Sequence, residues 1–558
     1  MIGLILLQSP CNTFAACSSR VKKIKSKIST TMNQLSVLVV VAIFALVPAK
    51  LFSKSVVKGI VYEDLNGNRK KERNEKGLPD VAVSNGKDVV KTNAKGEYEL
   101  SISDDNIIFV IKPSAYSLPL NEYRQPQFYY IHKPKGSSQL KFAGTAPTGK
   151  LPPSVNFPLI PATQKDNFKI LVFGDPQPYT EKEVDYFYQG IVKEVENVKE
   201  VEFGISLGDL VGDDLNLFIP YKDAVKHIGV PWYNVMGNHD ENYDVIADSL
   251  SDESFEAQFG PATYALNQGK VHFIILDDII YPDPRDQKSY WGGFRKDQLE
   301  FIENDLKLVP KDHLIVLAFH IPISEKEGDD PFRDADRIRL FEILKDFPHT
   351  LSLSAHTHFQ SQDFLTAKDG WLQPKSHHHF NVGASCGDWY SGKLNEKGVT
   401  ISTMRDGTPK GYVCLKFDKN QYTFDYKVAG KPDNYQFEIY APKVVGNNRK
   451  TTAGIFANFF IGSENDSVSY RIDEGAWKSM QYVNDYDPSY LHVLHEWDFS
   501  EEVIGDRRPS NPVKCNHLWR GSIPTNLPVG VHPIEVKAVD MFGRTFTQKS
   551  SYRIAQRP

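Results

Sequence analysis

Five short polar segments carry residue types suited to chemistry on an anionic ester: Gly174-Asp175-Pro176-Gln177, Gly208-Asp209 followed by Asp213, Gly237-Asn238-His239-Asp240, Phe319-His320, and Ala355-His356-Thr357-His358. Between them they offer carboxylates, amide oxygens and imidazoles. Hard oxygen donors mixed with imidazole suit divalent first-row metals. Two such cations about 3.5–4 Å apart can clamp both the attacking and the leaving oxygen of a phosphoryl group. A carboxylate must lie between them, and Asp209 is the natural bridge. His239 is placed to hold a proton near neutral pH. Each segment alone reads equally well as a polar turn; it is their number and order that point to a site.

The elements that must position these residues follow from the apolar pattern. Strand-like runs at 168–173, 201–207, 232–236, 271–276 and 313–319 alternate with helical spacing at 181–198, 215–227, 296–308 and 335–347. That alternation predicts an α/β domain with both sheet faces covered. Ligands of open α/β sheets collect beyond the carboxyl ends of the strands, where these segments are expected. Residues 55–162 alternate like half-buried strands with turns between them and end in a Pro- and Tyr-rich stretch, 113–161. Residues 431–558 return to strand signals at 435–440, 453–461, 468–472, 534–539 and 546–554, the pattern of a β-sandwich.

Taken in order, the five segments resemble the calcineurin-like metallophosphoesterase family, whose pattern runs D-x-H, G-D-x(n)-D, G-N-H-D/E, H and G-H-x-H. The flanking stretches are similar to modules of bacterial envelope members, the first of them to B-type repeats. The resemblance implies a central four-layer αββα-type sandwich at 163–430, an N-terminal β-sandwich at 55–162, a C-terminal β-rich domain at 431–558, and a leader at 1–54. Carried over by position, one metal would take Asp175, Gln177, Asp209 and His358, and the other Asp209, Asn238, His320 and His356. His239 would be the proton donor, oriented by Asp213 or Asp240, as a metal-bridging hydroxide attacks phosphorus. Gln177 stands where many members have His, and Ala355 where Gly is usual. The harder amide favours Mn, Fe or Mg over Zn for the two divalent ions. The implied activity is hydrolysis of a phosphate mono- or diester. The competing expectation is a non-catalytic envelope binding or scaffold protein with a degenerate phosphoesterase domain, against which the complete donor set speaks.

Composition bounds the rest. The 558 residues are 41% hydrophobic and 24% charged, as in soluble globular protein. A net charge of −5, with no basic stripe, speaks against a nucleic-acid groove. A basic stretch at 20–27, an apolar run at 35–47 and small residues at Ala49 and Ser53 read as an export signal. The run is shorter than the roughly 20 residues a spanning helix needs. Met32 is an alternative start, and Phe14-Ala15-Ala16-Cys17 resembles a lipoprotein cleavage box. The expected location is therefore the periplasm or cell envelope, and the expected partner a phosphate ester found there.

Cys386, Cys414 and Cys515 are too widely spaced for a disulfide framework and allow one bridge at most. Residues 64–75 space oxygen side chains like a calcium loop, but Arg69 occupies the sixth position, where Gly belongs. His377-His378-His379 reads as a solvated loop or a metal site. Trp389 and Tyr390 rim a pocket or pack in the core, and Arg405 clamps an anion or pairs with Asp406. Residues 516–521 mix aromatic and basic groups in a pattern expected to contact the catalytic domain.

Overall fold

The computed structural model describes residues 55–324 and 331–556, so the expected leader lies outside the described residues. Strands and helices are numbered within the central domain alone. β1 (Asn167–Phe173) leads through α1 (Glu181–Gly190) to β2 (Phe203–Leu207), and α2 (Phe218–Val225) leads to β3 (Trp232–Val235). α3 (Glu253–Phe259) precedes the hairpin of β4 (Tyr264–Gln268) and β5 (Val271–Ile275). α4 (Lys296–Leu306) feeds β6 (Leu314–Ala318), and α5 (Asp334–Leu344) feeds β7 (Thr350–Ser354). β8 (Gln360–Leu365), β9 (His377–Val382), β10 (Gly411–Asp418) and β11 (Gln421–Val428) complete the domain.

These strands form two sheets, ordered β3-β2-β1-β10-β11 and β4-β5-β6-β7-β9-β8. β1, β2 and β3 run parallel, as do β5, β6, β7 and β9. Strands covered on both faces read as continuous apolar runs, and β2, β5 and β6 are buried at every residue. The sheets meet face to face where Phe273 of β5 lies 6.4, 5.3 and 5.5 Å from the rings of Phe168, Phe203 and Phe417. On the outer face of the first sheet, Phe187 of α1 packs on Phe173 and on Tyr221 of α2. On the outer face of the second, Phe341 of α5 packs on Trp371 and His377. The order of layers is helix, sheet, sheet, helix.

The flanking regions are each built from two β-sheets. Residues 97–102, 55–63, 157–161 and 116–117 form one N-terminal sheet, and 89–91, 82–84, 106–110 and 129–132 the other. At the C-terminal end, strands 437–440, 454–459, 514–522 and 481–486 face a second sheet of 444–446, 545–555, 530–539, 467–472 and 478–479. The N-terminal part is seated on the central domain. Phe109 meets Phe301 of α4 at 5.7 Å, and the buried Lys112 ammonium donates to the Asn267 carbonyl at 2.9 Å and to Gln268 Oε1 at 3.1 Å.

Several local expectations change. The helical spacing at 181–198 gives α1 only to Gly190, then a separate 3-10 turn, Val192–Val195. Strands β4, β8 and β9 carry too many polar residues for apolar periodicity to reveal them. The His triplet is neither a loop nor a metal site: it lies inside β9, wholly buried. His377 bonds Ser352 Oγ at 2.7 Å and Thr350 Oγ1 at 2.8 Å, and His378 bonds the Tyr422 hydroxyl at 2.7 Å. Burial pushes the His377 and His378 imidazoles down to about 3, so they sit neutral in the core. A helix absent from the sequence reading, Pro488–Asp498, is capped by Asp487, which accepts from the Ser489 and Tyr490 amides.

In the loop at 64–75, side-chain oxygens turn onto the loop's own backbone. Asp64 accepts from Gly67 and Arg69 N–H at 2.8 and 2.9 Å, and Glu75 from Leu65 and Glu72 N–H at 3.1 and 2.8 Å. Cys386, Cys414 and Cys515 form no disulfide with one another. Among the described residues, no helix is long and apolar enough to cross a membrane.

Candidate active site

The five polar segments meet at the carboxyl ends of the parallel strands. β1 delivers Asp175 and Gln177, β2 delivers Asp209, β3 delivers Asn238 and His239, β6 delivers His320, and β7 delivers His356 and His358. The backbone there is bent hard. Asp175, Gln177, Asp209, Asp213, His356 and His358 all adopt φ between 36° and 68°. Non-glycine residues in the left-handed region cost of order 1–3 kcal/mol each and persist only where surrounding structure fixes them. Two glycines admit the close approach. A Cβ on Gly237 would sit 2.1 Å from the Asp209 nitrogen, and one on Gly208 would sit 2.5 Å from His320 Nδ1.

At the centre, His320 Nε2 lies 3.2 Å from Asp209 Oδ1, 3.1 Å from Asn238 Oδ1 and 3.2 Å from His356 Nδ1. His320 Nδ1 is committed to the Leu207 carbonyl at 2.7 Å, which aims Nε2 at this cluster. The ligating atoms of Asp209, His320 and His356 all fall within 4.8 Å of one another. Asp209 divides its oxygens: Oδ1 faces His320 and accepts from His239 N–H at 2.9 Å, while Oδ2 accepts from Gln177 Nε2 at 3.1 Å. Asp175 sits beside them, its carboxylate accepting from the His356 amide at 3.1 and 3.0 Å, with Oδ1 3.8 Å from His320 Nδ1. His358 Nδ1 is tied to the Gly387 carbonyl at 2.8 Å, and its ring stacks on Trp389 at 4.0 Å.

The donor set fits divalent cations. Gln177 Oε1 is a buried oxygen with no hydrogen-bond donor. Burial, aided by His320, pushes His356 down to about 3, and burial does the same for His358, so both imidazoles keep a lone pair at neutral pH. Burial opposes a charge on His320, but Asp209, Asp175 and Asp278 outweigh it and raise its pKa to about 10. Burial also pushes Asp175 well above the usual carboxylate range, while His320 and His239 hold Asp209 below it.

His239 is partly exposed at the mouth of this cluster, and its Nδ1 lies 2.7 Å from Asp213 Oδ1. Burial opposes its charge, but Asp209, Asp213 and Asp240 raise it to about 9. Asp240 does not orient the imidazole. Its carboxylate is consumed by the backbone N–H groups of Leu210, Val211 and Gly237, at 3.0, 3.2 and 2.9 Å. It braces the Asp209 loop against the Asn238 turn, and Asp213 is the carboxylate that bonds the ring.

Two further readings resolve. Tyr390 is core, its hydroxyl donating to the Pro176 carbonyl, whereas Trp389 is only partly buried. Arg405 makes no pair with Asp406, which is buried and bound to His517 Nε2 at 3.1 Å and to the Gln360 and Thr408 amides. Arg405 instead donates to the Thr357 carbonyl at 2.9 Å and lies over Trp389. The segment at 516–521 reaches the central domain through that His517–Asp406 contact.

Sequence reasoning missed Asp278, whose two oxygens accept from the His320 and Ile321 amides at 3.0 and 2.9 Å. Its position just past β5, paired with Asp277, is the signal that was available. It also missed Tyr179, whose ring meets His239 at 5.9 Å.

Fold and donor set together define the class of two-sheet α/β proteins that gather mixed oxygen and imidazole ligands at strand ends. Three family models match in succession: N terminal of Calcineurin-like phosphoesterase over residues 63–146, Calcineurin-like phosphoesterase over 168–360, and C terminal of Calcineurin-like phosphoesterase over 379–546. The chain belongs to the calcineurin-like phosphoesterase family. Among solved structures, the purple acid phosphatase PPD1 isolated from yellow lupin (Lupinus luteus) seeds is 13% identical, with 67% of this chain and 66% of that chain covered and a TM-score of 0.35. This chain therefore spans 66% of the lupin protein's length. GAP50, the anchor in the inner membrane complex of Plasmodium, is 18% identical over 48% of this chain and 86% of that chain, with a TM-score of 0.30. No curated protein matches the chain.

Proposed function

We propose that this chain is an exported phosphoesterase that uses two divalent metal ions to hydrolyse a phosphate mono- or diester. The observation that carries the reading is the convergence of Asp209, Asn238 and His356 on one nitrogen, His320 Nε2, at 3.1–3.2 Å. Those four residues would hold one ion. Asp175, Gln177 and His358, with Asp209 shared, would hold the other. When bound, the ions would supply the positive charge that acidifies a water and screens the phosphoryl oxygens. Gln177 contributes an amide oxygen where imidazole would be softer, so Mn, Fe or Mg is proposed over Zn.

The chain's own residues do the rest. Asp209, buried and split between the two ligand groups, fixes their spacing. His239, partly exposed and held by Asp213, keeps a proton at neutral pH and delivers it to the leaving oxygen. Trp389 and Arg405 border the site and contact the substrate. Export rests on the basic, apolar and small-residue stretches at 20–53, and N-terminal sequencing of the mature protein tests it.

The experiment for the activity pairs turnover with metal content. Full-length protein supplied with Mn should release p-nitrophenol from p-nitrophenyl phosphate or its bis ester and should retain metal after desalting. Asp209→Ala should lose both. Wild-type protein that neither retains metal nor turns over either ester would refute the proposal, and turnover that survives Asp209→Ala would place the chemistry elsewhere.

A further inference from the structure

The rim of the candidate active site is not made by the central domain alone. After the helix Pro488–Asp498, the chain of the C-terminal domain folds back over the segment that bears Trp389 and Arg405. Its course is pinned at several points. The Arg507 carbonyl accepts from Gly392 N–H at 2.9 Å, Ser510 N–H donates to Asp388 Oδ2 at 2.7 Å, and Val513 N–H donates to the Arg405 carbonyl at 3.1 Å. Lys182 of α1 pairs with Asp506 at 2.5 Å, and the Tyr490 hydroxyl donates to the Ser510 carbonyl at 2.8 Å.

This path sets the Arg507 guanidinium 5.6 Å from the centroid of the Trp389 ring, the same distance as Arg405. Trp389 is the ring that stacks on His358, so both cations stand one aromatic ring away from a proposed metal ligand. Among the described residues neither guanidinium has a carboxylate partner. Arg405 donates to the Thr357 carbonyl, Arg507 donates to the Trp389 carbonyl at 3.4 Å, and Arg405 Nε is buried without a hydrogen-bond acceptor. Two like charges gathered at one ring, with donors to spare, are an arrangement that an anion would relieve. Guanidinium forks match phosphate oxygens in number and geometry. Arg507 is exposed and lies within electrostatic reach of Tyr179, which packs on His239 across the mouth.

Resting on the phosphoesterase reading above, we propose that Arg507 and Arg405, gathered around Trp389, form a subsite for a second phosphate group on the substrate. The preferred substrate class is then a phosphate ester whose alcohol portion carries another phosphate, and the C-terminal domain contributes directly to that preference.

The test compares butyl phosphate with 1,4-butanediol bisphosphate, which differ only in the remote phosphate. Calorimetric titration of the full chain with Mn present, using the non-hydrolysable phosphonate counterparts of the two compounds, should show the two-headed ligand binding at least tenfold more tightly. Arg507→Ala should bring the two affinities to within about twofold of each other while leaving that for the butyl compound unchanged, and Arg507→Lys should restore part of the gap. Equal binding of both compounds by the wild type, or an equal loss for both in Arg507→Ala, would overturn the subsite. With the two esters themselves, the same ratio should appear in kcat/KM for phosphate release, carried by KM. Selective binding without hydrolysis of either compound would sink the esterase reading and leave the subsite standing. Hydrolysis of both with no selectivity would do the reverse.

Discussion

Asp278 is the sharpest point at which to test how the site is held together, because it supports His320 without any expected contact with metal. Its two oxygens accept from adjacent amides, His320 at 3.0 Å and Ile321 at 2.9 Å, and it is fully buried. Asp278→Ala leaves both N–H groups without an acceptor and out of reach of water. Each such loss costs about 1–3 kcal/mol, so the variant should lose roughly 2–6 kcal/mol of stability. Asp278→Asn keeps one acceptor oxygen and should lose roughly half as much. The second effect falls on function. The peptide that carries His320 would no longer be fixed, and loss of such supports usually lowers metal affinity by about 10–100-fold. Urea denaturation reads the first effect and calorimetric titration with Mn reads the second, with the Asn variant securing the comparison if the Ala variant does not fold. An Asp278→Ala protein with the wild-type urea midpoint and unchanged Mn affinity would refute the claim that this carboxylate positions His320.

Asp213→Ala should lower kcat with metal content unchanged, since Asp213 bonds His239 at 2.7 Å and touches no proposed ligand; a kcat equal to wild type would remove it from the proton-delivery step. Gly237→Ala would drive a Cβ to 2.1 Å from the Asp209 nitrogen and 2.4 Å from its Oδ1, so it should cost about 1–3 kcal/mol and empty the metal site, as read by metal analysis after desalting. Lys112 gives a pH dependence. Burial lowers its ammonium to about 8, so between pH 8 and about 10.5 the unfolded chain binds the proton that the folded chain has released. The wild type should therefore gain stability relative to Lys112→Met as pH rises through that window, by up to about 3 kcal/mol, and show a constant difference below pH 8. Denaturation curves of the two proteins from pH 7 to 10 that run parallel throughout would exclude a buried, depressed Lys112.

Much of the layout was readable because it depends on local pattern. β1, β2, β3, β5 and β6 announce themselves as mainly apolar runs, since strands covered on both faces have little polar side to show. β9 was hidden for the opposite reason: His377, His378 and His379 are polar by type but bond Ser352 and Thr350 on the neighbouring β7 and Tyr422 on β11 of the other sheet. No property of the triplet itself reveals those partners. The helix Pro488–Asp498 was readable, with Asp487 as cap and Pro488 at its first position, yet it was lost among the strand signals around it.

The sequence by itself determined the donor set, its order along the chain, and its placement after apolar strands, because residue type and strand periodicity are short-range properties. Which donors share a centre was decided only in three dimensions. Asp213 and Asp240 were equal candidates to hold His239, and only the packed backbone gives the ring to Asp213 while Asp240 is taken up by three amides. Arg507 is far from every motif in sequence, and it reaches Trp389 because the C-terminal domain docks its return loop there. Contacts of that kind are selected by the combined burial and hydrogen bonding of surfaces distant in sequence, for which no local spacing rule exists.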